Sequence, residues 1–438
     1  MLPSVPSPLR APMPAWTVER ALARALQANP DVQVALAGVE RQDGLRLQSL
    51  SNLFPRVGVS ASLDSRAKTL IDRSAEEEQR INAGGALTSI ARRGYDARLE
   101  VRQTLFDGLS SWHQIRRLAL LEKKASIDAR ELFLRTASQV RQAFDAVLLR
   151  QMIVVARGEA VTDLTRLAEV AEKRLGVGGI SSLERGRALA ILHSAKAELA
   201  QAEAEAARAE ELLCRILYID RPPEGLRLEG NLGALSYRDS FEIALSRGRA
   251  GRLDLRAAYL QLEAAKLAQR VAAAGFLPRI EAVAGYTFRS SYFDAHRELE
   301  GWTLGFVGRW DLFSSGQTVG EMRVQRAERR IAEIRVADAQ KTIGSQIREL
   351  FSALEQWKTV MAAHITARDL SAQSKREILA AYDAGRASQE QVLNAEIAYQ
   401  QASIGWLNAV FNNNTTVYQL DYASANEAFL DALAPASR

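Results

Sequence analysis

The chain has 438 residues, 47% of them hydrophobic and 25% charged, with 57 lysines and arginines against 52 aspartates and glutamates. The net charge of +5 is interleaved with acids, as along 323–335 and 198–211, which describes solvated helix faces and excludes the basic stripe of a nucleic-acid binder. A single cysteine, Cys214, excludes an intrachain disulfide, and the absence of any run of 18 apolar residues excludes a transmembrane helix.

Residues 1–16 form a proline-rich tail (Pro3, Pro6, Pro8, Pro12, Pro14) without the apolar core of a secretory signal. Taken alone, the tail leaves open a cytosolic protein and a chain that begins after a cleavage site. Two helices are predicted over 17–29 and 31–53, broken at Pro30, with Asp31 as cap or first-turn carboxylate. At Pro55 the period changes to two. Val57, Val59, Ala61 and Leu63 alternate with Gly58, Ser60 and Ser62, which predicts a strand. After a polar segment over 66–94, Tyr95, Ala97, Leu99, Val101 and Leu105 share one face of a second strand, and Asp96, Arg98, Glu100, Arg102 and Thr104 the other. Gln103 is the one polar residue on the apolar face.

From Leu109 to Leu175 the chain is proline-free and apolar at steps of three and four, predicting a helix of about 65 residues, roughly 100 Å long. Gly176, Gly178 and Gly179 end it, and Ser181 or Ser182 starts a return helix to about Ile219. The return helix carries a heptad seam of Leu192, Ala195, Leu199, Ala202, Ala206, Ala209, Leu213 and Ile216.

The whole pattern then occurs again. Leu53-Phe54-Pro55-Arg56-Val57 returns 223 residues later as Phe276-Leu277-Pro278-Arg279-Ile280. Beyond the strands the offset is 207, so that Leu105-Phe106 returns as Leu312-Phe313 and Gly178-x-x-Ser181 as Gly385-x-x-Ser388. Ile280, Ala282, Ala284 and Tyr286 occupy the apolar positions of a third strand. Trp302, Leu304, Phe306, Trp310 and Leu312 occupy those of a fourth, opposite Thr303, Arg309 and Asp311. Each strand, at about 9–11 residues, has the length of a tilted bilayer-crossing strand. A long hairpin follows, from about Val319 to Ala384 and from Ser388 to about Tyr422. The organisation is a tail (1–16), a first repeat (17–219), a linker (220–239), a second repeat (240–425) and a C-terminal tail (426–438).

In the order and spacing of its junctions the chain resembles the TolC-like outer-membrane efflux proteins, or outer membrane factors. The matching residues are Asn29-Pro30-Asp31, Phe54-Pro55-Arg56 and Leu277-Pro278-Arg279, then the corners Leu105-Phe106-Asp107-Gly108 and Trp310–Gly316. The last is the hairpin Tyr382-x-x-Gly385-x-x-Ser388-x-x-Gln391-Val392-Leu393-x-Ala395. The resemblance spans roughly 17–425. It implies a mainly α chain with a β-barrel portion: a homotrimer sharing a twelve-stranded barrel in outer-membrane lipid, continued by a periplasmic α-helical barrel. It also implies a channel without enzymatic activity or cofactor. Such a channel serves a tripartite efflux or type I secretion system with a periplasmic adaptor protein and an inner-membrane transporter. Arg98, Glu100, Arg102 and Arg309 would line the barrel lumen. The hairpin tips at Gly178, Ser181, Gly385 and Ser388 would meet the adaptor. In the family, acidic side chains often ring the closed end six and nine residues after the hairpin glycine. Those positions here are Gln391 and Asn394 in one copy and Glu184 and Arg187 in the other, so the acidic pattern is broken in the second copy and the sequence leaves open a cation-binding ring and a closure by amides. Asp383 or Glu390 would be the alternative source of charge there.

Two other classes account for less of the sequence. A soluble coiled-coil scaffold accounts for the helices but not for the repeated strands with aromatic ends. An enzyme lacks support, because His113, His193, His296 and His364 are scattered without ligand-spaced partners, and no glycine-rich phosphate loop follows a strand.

Overall fold

The computed structural model describes residues 15–65, 93–176, 180–222, 225–291 and 298–426. In chain order the elements are α1 (Val18–Ala28), α2 (Pro30–Leu50), β1 (Arg56–Ser65), β2 (Arg93–Phe106), α3 (Ser110–Gly176) and α4 (Ser182–Leu217), then α5 (Phe241–Gly251), α6 (Leu253–Ala273), β3 (Arg279–Ser291), β4 (Glu298–Arg309), α7 (Gln317–Asp383) and α8 (Gln389–Ala423). Short 3₁₀ turns, Ser51–Leu53 and Ala274–Phe276, lead into β1 and β3. The chain divides into two compact units, one helical and one built on the sheet. No helix among the described residues is long and apolar enough to cross a membrane.

Local chemistry sets the element ends. Thr17 caps α1 by accepting from the Arg20 amide, at 3.3 Å. At the next break the Asn29 side chain accepts from the Asp31 amide at 2.9 Å. Pro30 therefore takes the first position of α2, where its missing N–H costs nothing, and Asp31 falls in the first turn, beside the positive end of the helix dipole. The strand-to-helix corners need two consecutive left-handed residues. In the first copy these are Gly108 (φ 67) and Leu109 (φ 65), in the second Ser315 (φ 50) and Gly316 (φ 88). The backbone shape is repeated while the glycine moves by one position. Asp107 then caps α3 through the Ser111 amide, at 2.8 Å.

The sheet-containing unit spans Val39–Ala125 and Ala258–Val336. Its four strands run β1-β2-β3-β4, each antiparallel to the next. The central pairing, β2 with β3, joins the two copies. Two expectations are corrected here. Leu105 does not continue the apolar row of β2, because a bulge between Thr104 and Phe106 seats Phe106 opposite Ile280. Trp310 and Leu312 lie beyond the fourth strand, which ends at Arg309 where the chain turns into the corner. Trp310 is used there instead: its indole N–H donates to the Phe276 carbonyl at 3.1 Å. Gln103, polar on an apolar face, anchors the strand base by donating to the Leu53 carbonyl at 3.2 Å and the Thr104 carbonyl at 2.9 Å.

The helical unit comprises Met1–Gly38, Ser126–Ala257 and Ala337–Arg438. Its main core places Phe144, Val140 and Val147 of α3 with Leu213 and Leu217 of α4, Leu407 and Val410 of α8, and Ala21, Leu22 and Ala25 of α1. The heptad seam of α4 faces inward: Leu192, Ala202, Ala206 and Leu213 are buried, and Ala195, Leu199, Ala209 and Ile216 half-buried. The linker is held by side-chain amides of α8. Asn413 donates to the Leu235 carbonyl and Asn414 to the Gly233 carbonyl, while Asn414 accepts from the Leu235 amide, all at 2.8 Å. Both asparagines are buried, so these bonds also satisfy groups that would otherwise be costly.

Close helix packing sets a stability contrast. A Cβ on Gly248 would stand 2.9 Å from the Ala423 carbonyl oxygen and 2.9 Å from Ile347. Gly248→Ala is therefore expected to destabilise by about 1–3 kcal/mol through overpacking. Gly186, in α4, meets nothing within 4 Å, and Gly186→Ala is expected to stabilise by about 0.5–1 kcal/mol. Denaturant unfolding of the two variants checks both signs.

Candidate functional site

Two regions carry the chemistry, the charged face of the sheet and the helix hairpin ends. The registers divide the sheet residue by residue. Val57, Val59, Ala61 and Leu63 align with Val101, Leu99, Ala97 and Tyr95. These align in turn with Ala284, Tyr286, Phe288 and Ser290, and β3 aligns Ala282, Ala284 and Tyr286 with Phe306, Leu304 and Trp302. One face is thus predominantly apolar across all four strands, with Glu300 of β4 standing opposite Phe288 and accepting from the Tyr286 hydroxyl at 2.8 Å. It is also uncovered: Val59 is 77% exposed, Leu63 83%, Trp302 77% and Phe306 73%.

The opposite face carries the predicted lumen residues. Arg98 pairs across with Ser60 and Thr287, and Glu100 with Gly58 and Gly285. Arg102 stands opposite Arg56, and Arg309 opposite Arg279. All four predicted residues therefore share one face. Ion pairs cross it: Arg102 with Glu100 within β2, Arg279 with Glu281 at 3.7 Å, and Arg289 of β3 with Asp96 of β2 at 3.0 Å.

At the hairpin ends, Gly385 (φ 72) closes α7 with the Gly385 amide on the Tyr382 carbonyl (3.0 Å) and the Arg386 amide on the Ala381 carbonyl (2.8 Å). Ser388 then starts α8. Its hydroxyl accepts from the Gln391 amide at 3.3 Å, and Gln391 Oε1 accepts from the Ser388 amide at 2.9 Å. The first copy has the same reciprocal cap. Ser181 accepts from the Glu184 amide at 3.2 Å, and Glu184 Oε2 accepts from the Ser181 amide at 2.8 Å. Gly178 lies outside the described residues. Two of the four constriction candidates, Glu184 and Gln391, are thus bound back onto their own helix starts as capping boxes. Of the others, Arg187 reaches Glu390 at 3.4 Å, linking the two hairpins, and Asn394 is exposed on α8. Asp383 is exposed at the end of α7.

Sequence reasoning missed a deeper cluster. Lys375 Nζ lies 2.9 Å from Asp163 Oδ2 and 2.6 Å from Glu396 Oε2, so one ammonium ties α3, α7 and α8 together. Glu396 is buried, and Gln400 donates to it at 3.3 Å while also donating to the Ala156 carbonyl at 3.1 Å. Burial alone would push the Lys375 pKa down, but the two carboxylates outweigh it and raise it. At the 207-residue offset the equivalents of Asp163, Lys375 and Glu396 are Leu370, Ala168 and Leu189, so the cluster exists in one orientation only.

Comparison with known proteins places this geometry. Residues 244–426 match the sequence profile of the family described as outer membrane efflux protein. Over these residues, most of the second repeat, the chain is similar to that efflux-protein family. No curated protein gives a significant match. Among solved structures, the Campylobacter jejuni CmeC outer membrane channel aligns with a TM-score of 0.80 at 17% identity, over 95% of this chain and 89% of that one. A membrane protein from Pseudomonas aeruginosa aligns at 0.80 and 16%, over 93% and 90%. The outer membrane protein VceC from Vibrio cholerae aligns at 0.76 and 16%, over 95% of each. At these identities the likeness is one of fold, and it extends the efflux-protein architecture over both copies.

The two caps differ in one testable respect. The Ser181 backbone amide, with its hydroxyl, holds the Glu184 carboxyl below its ordinary pKa. A depressed carboxylate stabilises above its unfolded pKa and loses that contribution as pH falls through the folded value. Acidification is therefore expected to fray the start of α4 while the start of α8, capped by uncharged Gln391, stays unchanged. Amide exchange at residues 182–185 against 389–392 between pH 6 and pH 3 reads this out, and Glu184→Gln should remove the difference. Separately, Lys375→Ala leaves the Glu396 carboxylate buried without its partner. A loss of about 3 kcal/mol is expected, largely recovered by adding Glu396→Gln, in a double-mutant unfolding cycle.

Proposed function

We propose that this chain is the outer-membrane exit duct of a tripartite efflux or type I secretion system. It works as a homotrimer and passes solutes from a periplasmic adaptor and an inner-membrane transporter to the exterior. The observation that carries this reading is the sheet, with one predominantly apolar face and one charged face, both open to the surroundings. In lipid an open sheet edge is not tolerated, because unpaired backbone groups cost several kcal/mol each. The outer edges of β1 and β4 have no partner strand in the described chain. Closure by copies of the same chain satisfies both, turns the apolar face to lipid and encloses a wet, charged lumen. A soluble scaffold would have to cover Trp302, Leu304 and Phe306, whose exposure instead matches a lipid contact.

The long hairpins α3–α4 and α7–α8 then form the periplasmic tunnel of an assembly that lies in the outer membrane and extends into the periplasm. Their ends, at Ser181, Gly385 and Ser388, offer the adaptor helix starts that are closed by reciprocal caps. At the constriction, Asn394 and the Arg187–Glu390 pair supply the free polar groups, while Glu184 and Gln391 hold the helix starts that position them. This is a conduit and carries out no chemistry on its cargo.

The expected outcome is a detergent-extracted particle with the mass of three chains that inserts into planar bilayers and conducts ions in discrete steps. A monomer that stays soluble without detergent and gives no conductance would instead support the scaffold reading.

A further inference from the structure

The polar face of the sheet contains a repeated feature that an enclosed lumen does not by itself require. In each copy two arginines stand directly opposite one another across neighbouring strands: Arg56 faces Arg102, and Arg279 faces Arg309. The repeat relates them, with Arg56 returning as Arg279 and Arg102 as Arg309. Like charges directly opposite in an antiparallel pair are destabilising. Even so, both copies have the pair in the same place.

The acids nearby are not repeated. Glu100, paired with Arg102, corresponds to Val307, and Glu281, paired with Arg279, corresponds to Gly58. The arginine pairs are thus constant between the copies, while their neutralising partners differ. Among described side chains the polar face holds six arginines, the four above with Arg98 and Arg289, against three carboxylates, Asp96, Glu100 and Glu281. The four paired arginines are all exposed. Guanidinium forks set at strand spacing suit planar or tetrahedral oxyanions, which they grip bidentately.

We propose that these arginine pairs form an anion-accepting belt on the lumen wall, which gives the duct a preference for anionic solutes carrying carboxylate, sulfonate or phosphate groups. This rests on the channel reading above. Enclosure by low-dielectric walls strengthens the belt's field, and salt weakens it within a Debye length of about 10 Å at 0.1 M. Selectivity should therefore be greatest in dilute electrolyte.

The test uses the full chain in planar bilayers under a potassium chloride gradient, with the reversal potential as readout. Wild type is expected to favour chloride over potassium several-fold, and the preference should fall to unity or invert in Arg102→Gln/Arg309→Gln. Arg102→Lys/Arg309→Lys, which keeps the charge, should retain most of it and serves as a folding control. Binding of pyrenetetrasulfonate to the detergent-solubilised protein, followed by fluorescence, probes the belt without conductance and should weaken at least tenfold in the glutamine variant. Channels that conduct with a cation preference, or a reversal potential and dye affinity untouched by the glutamine substitutions, would overturn the belt while leaving the duct intact. Dye binding that depends on these arginines without any conductance would support the belt and sink the duct.

Discussion

The pairing of β2 with β3 is the contact on which the rest of the molecule depends. β2 belongs to the first copy and β3 to the second, and their ladder from Gly94–Ser291 down to Phe106–Ile280 makes one sheet out of two hairpins. It sets the register of every side chain on both faces. A slip of one residue would put Arg98 or Glu100 beside Val59 and Tyr286, mixing charge into the apolar surface. The bulge at Thr104/Phe106 limits such slippage at the helix-side end, and the Asp96–Arg289 ion pair does so further along the ladder. The same ladder brings the long helices of the two copies, which leave the sheet through matching left-handed corners, into one chain with two equivalent exits.

How much of this was legible in the sequence follows from the range of the interactions. Alternation with a period of two is local, so the two faces of each strand, and the membership of Arg98, Glu100, Arg102 and Arg309 on one of them, were visible. The ends of strands were less so. Trp310 and Leu312 keep the apolar parity of β4, yet the backbone leaves the sheet at Arg309 because Ser315 and Gly316 must turn left-handed before α7. The hairpin caps were present as Ser-x-x-Glu and Ser-x-x-Gln, a local signature with a local meaning. The distance of Glu184 and Gln391 from the hairpin glycine matches a family gate position, yet the same spacing from Ser181 and Ser388 makes each a local cap. The Lys375 cluster left no local trace: Asp163 is 212 residues from Lys375, and nothing near either predicts the other.

The two copies are most informative where their chemistry diverges while their geometry does not. Ser181 and Ser388 have nearly the same backbone angles, φ −84 and ψ 157 against φ −82 and ψ 157, and each makes the same reciprocal pair of bonds, its hydroxyl accepting one and its amide donating the other. One cap carries a charge and the other does not. The helix ends are therefore equally well formed at neutral pH, and the difference concerns what surrounds them. Arg187 of α4 and Glu390 of α8 make one ionic contact between the hairpins, and Lys375 with Asp163 and Glu396 makes another further from the tips. All three charged residues of that deeper cluster are replaced by apolar ones at the repeat-related positions. Within one chain, then, the α7–α8 hairpin is fastened to α3 by ions, whereas at the repeat-related positions Ala168 and Leu189 pack in an apolar cluster and Leu370 is exposed.

That division has a mechanical consequence. An ionic contact with a buried carboxylate resists separation strongly and over a short distance, because parting it strands a charge in a poorly solvated site. An apolar contact yields more gradually and depends on area alone. Within this chain the ions tie Asp163 of α3 to Lys375 of α7 and Glu396 of α8, so they fasten one hairpin to the other. The repeat therefore supplies helices of nearly equivalent geometry, and the unrepeated charges determine which contact between its hairpins resists separation most.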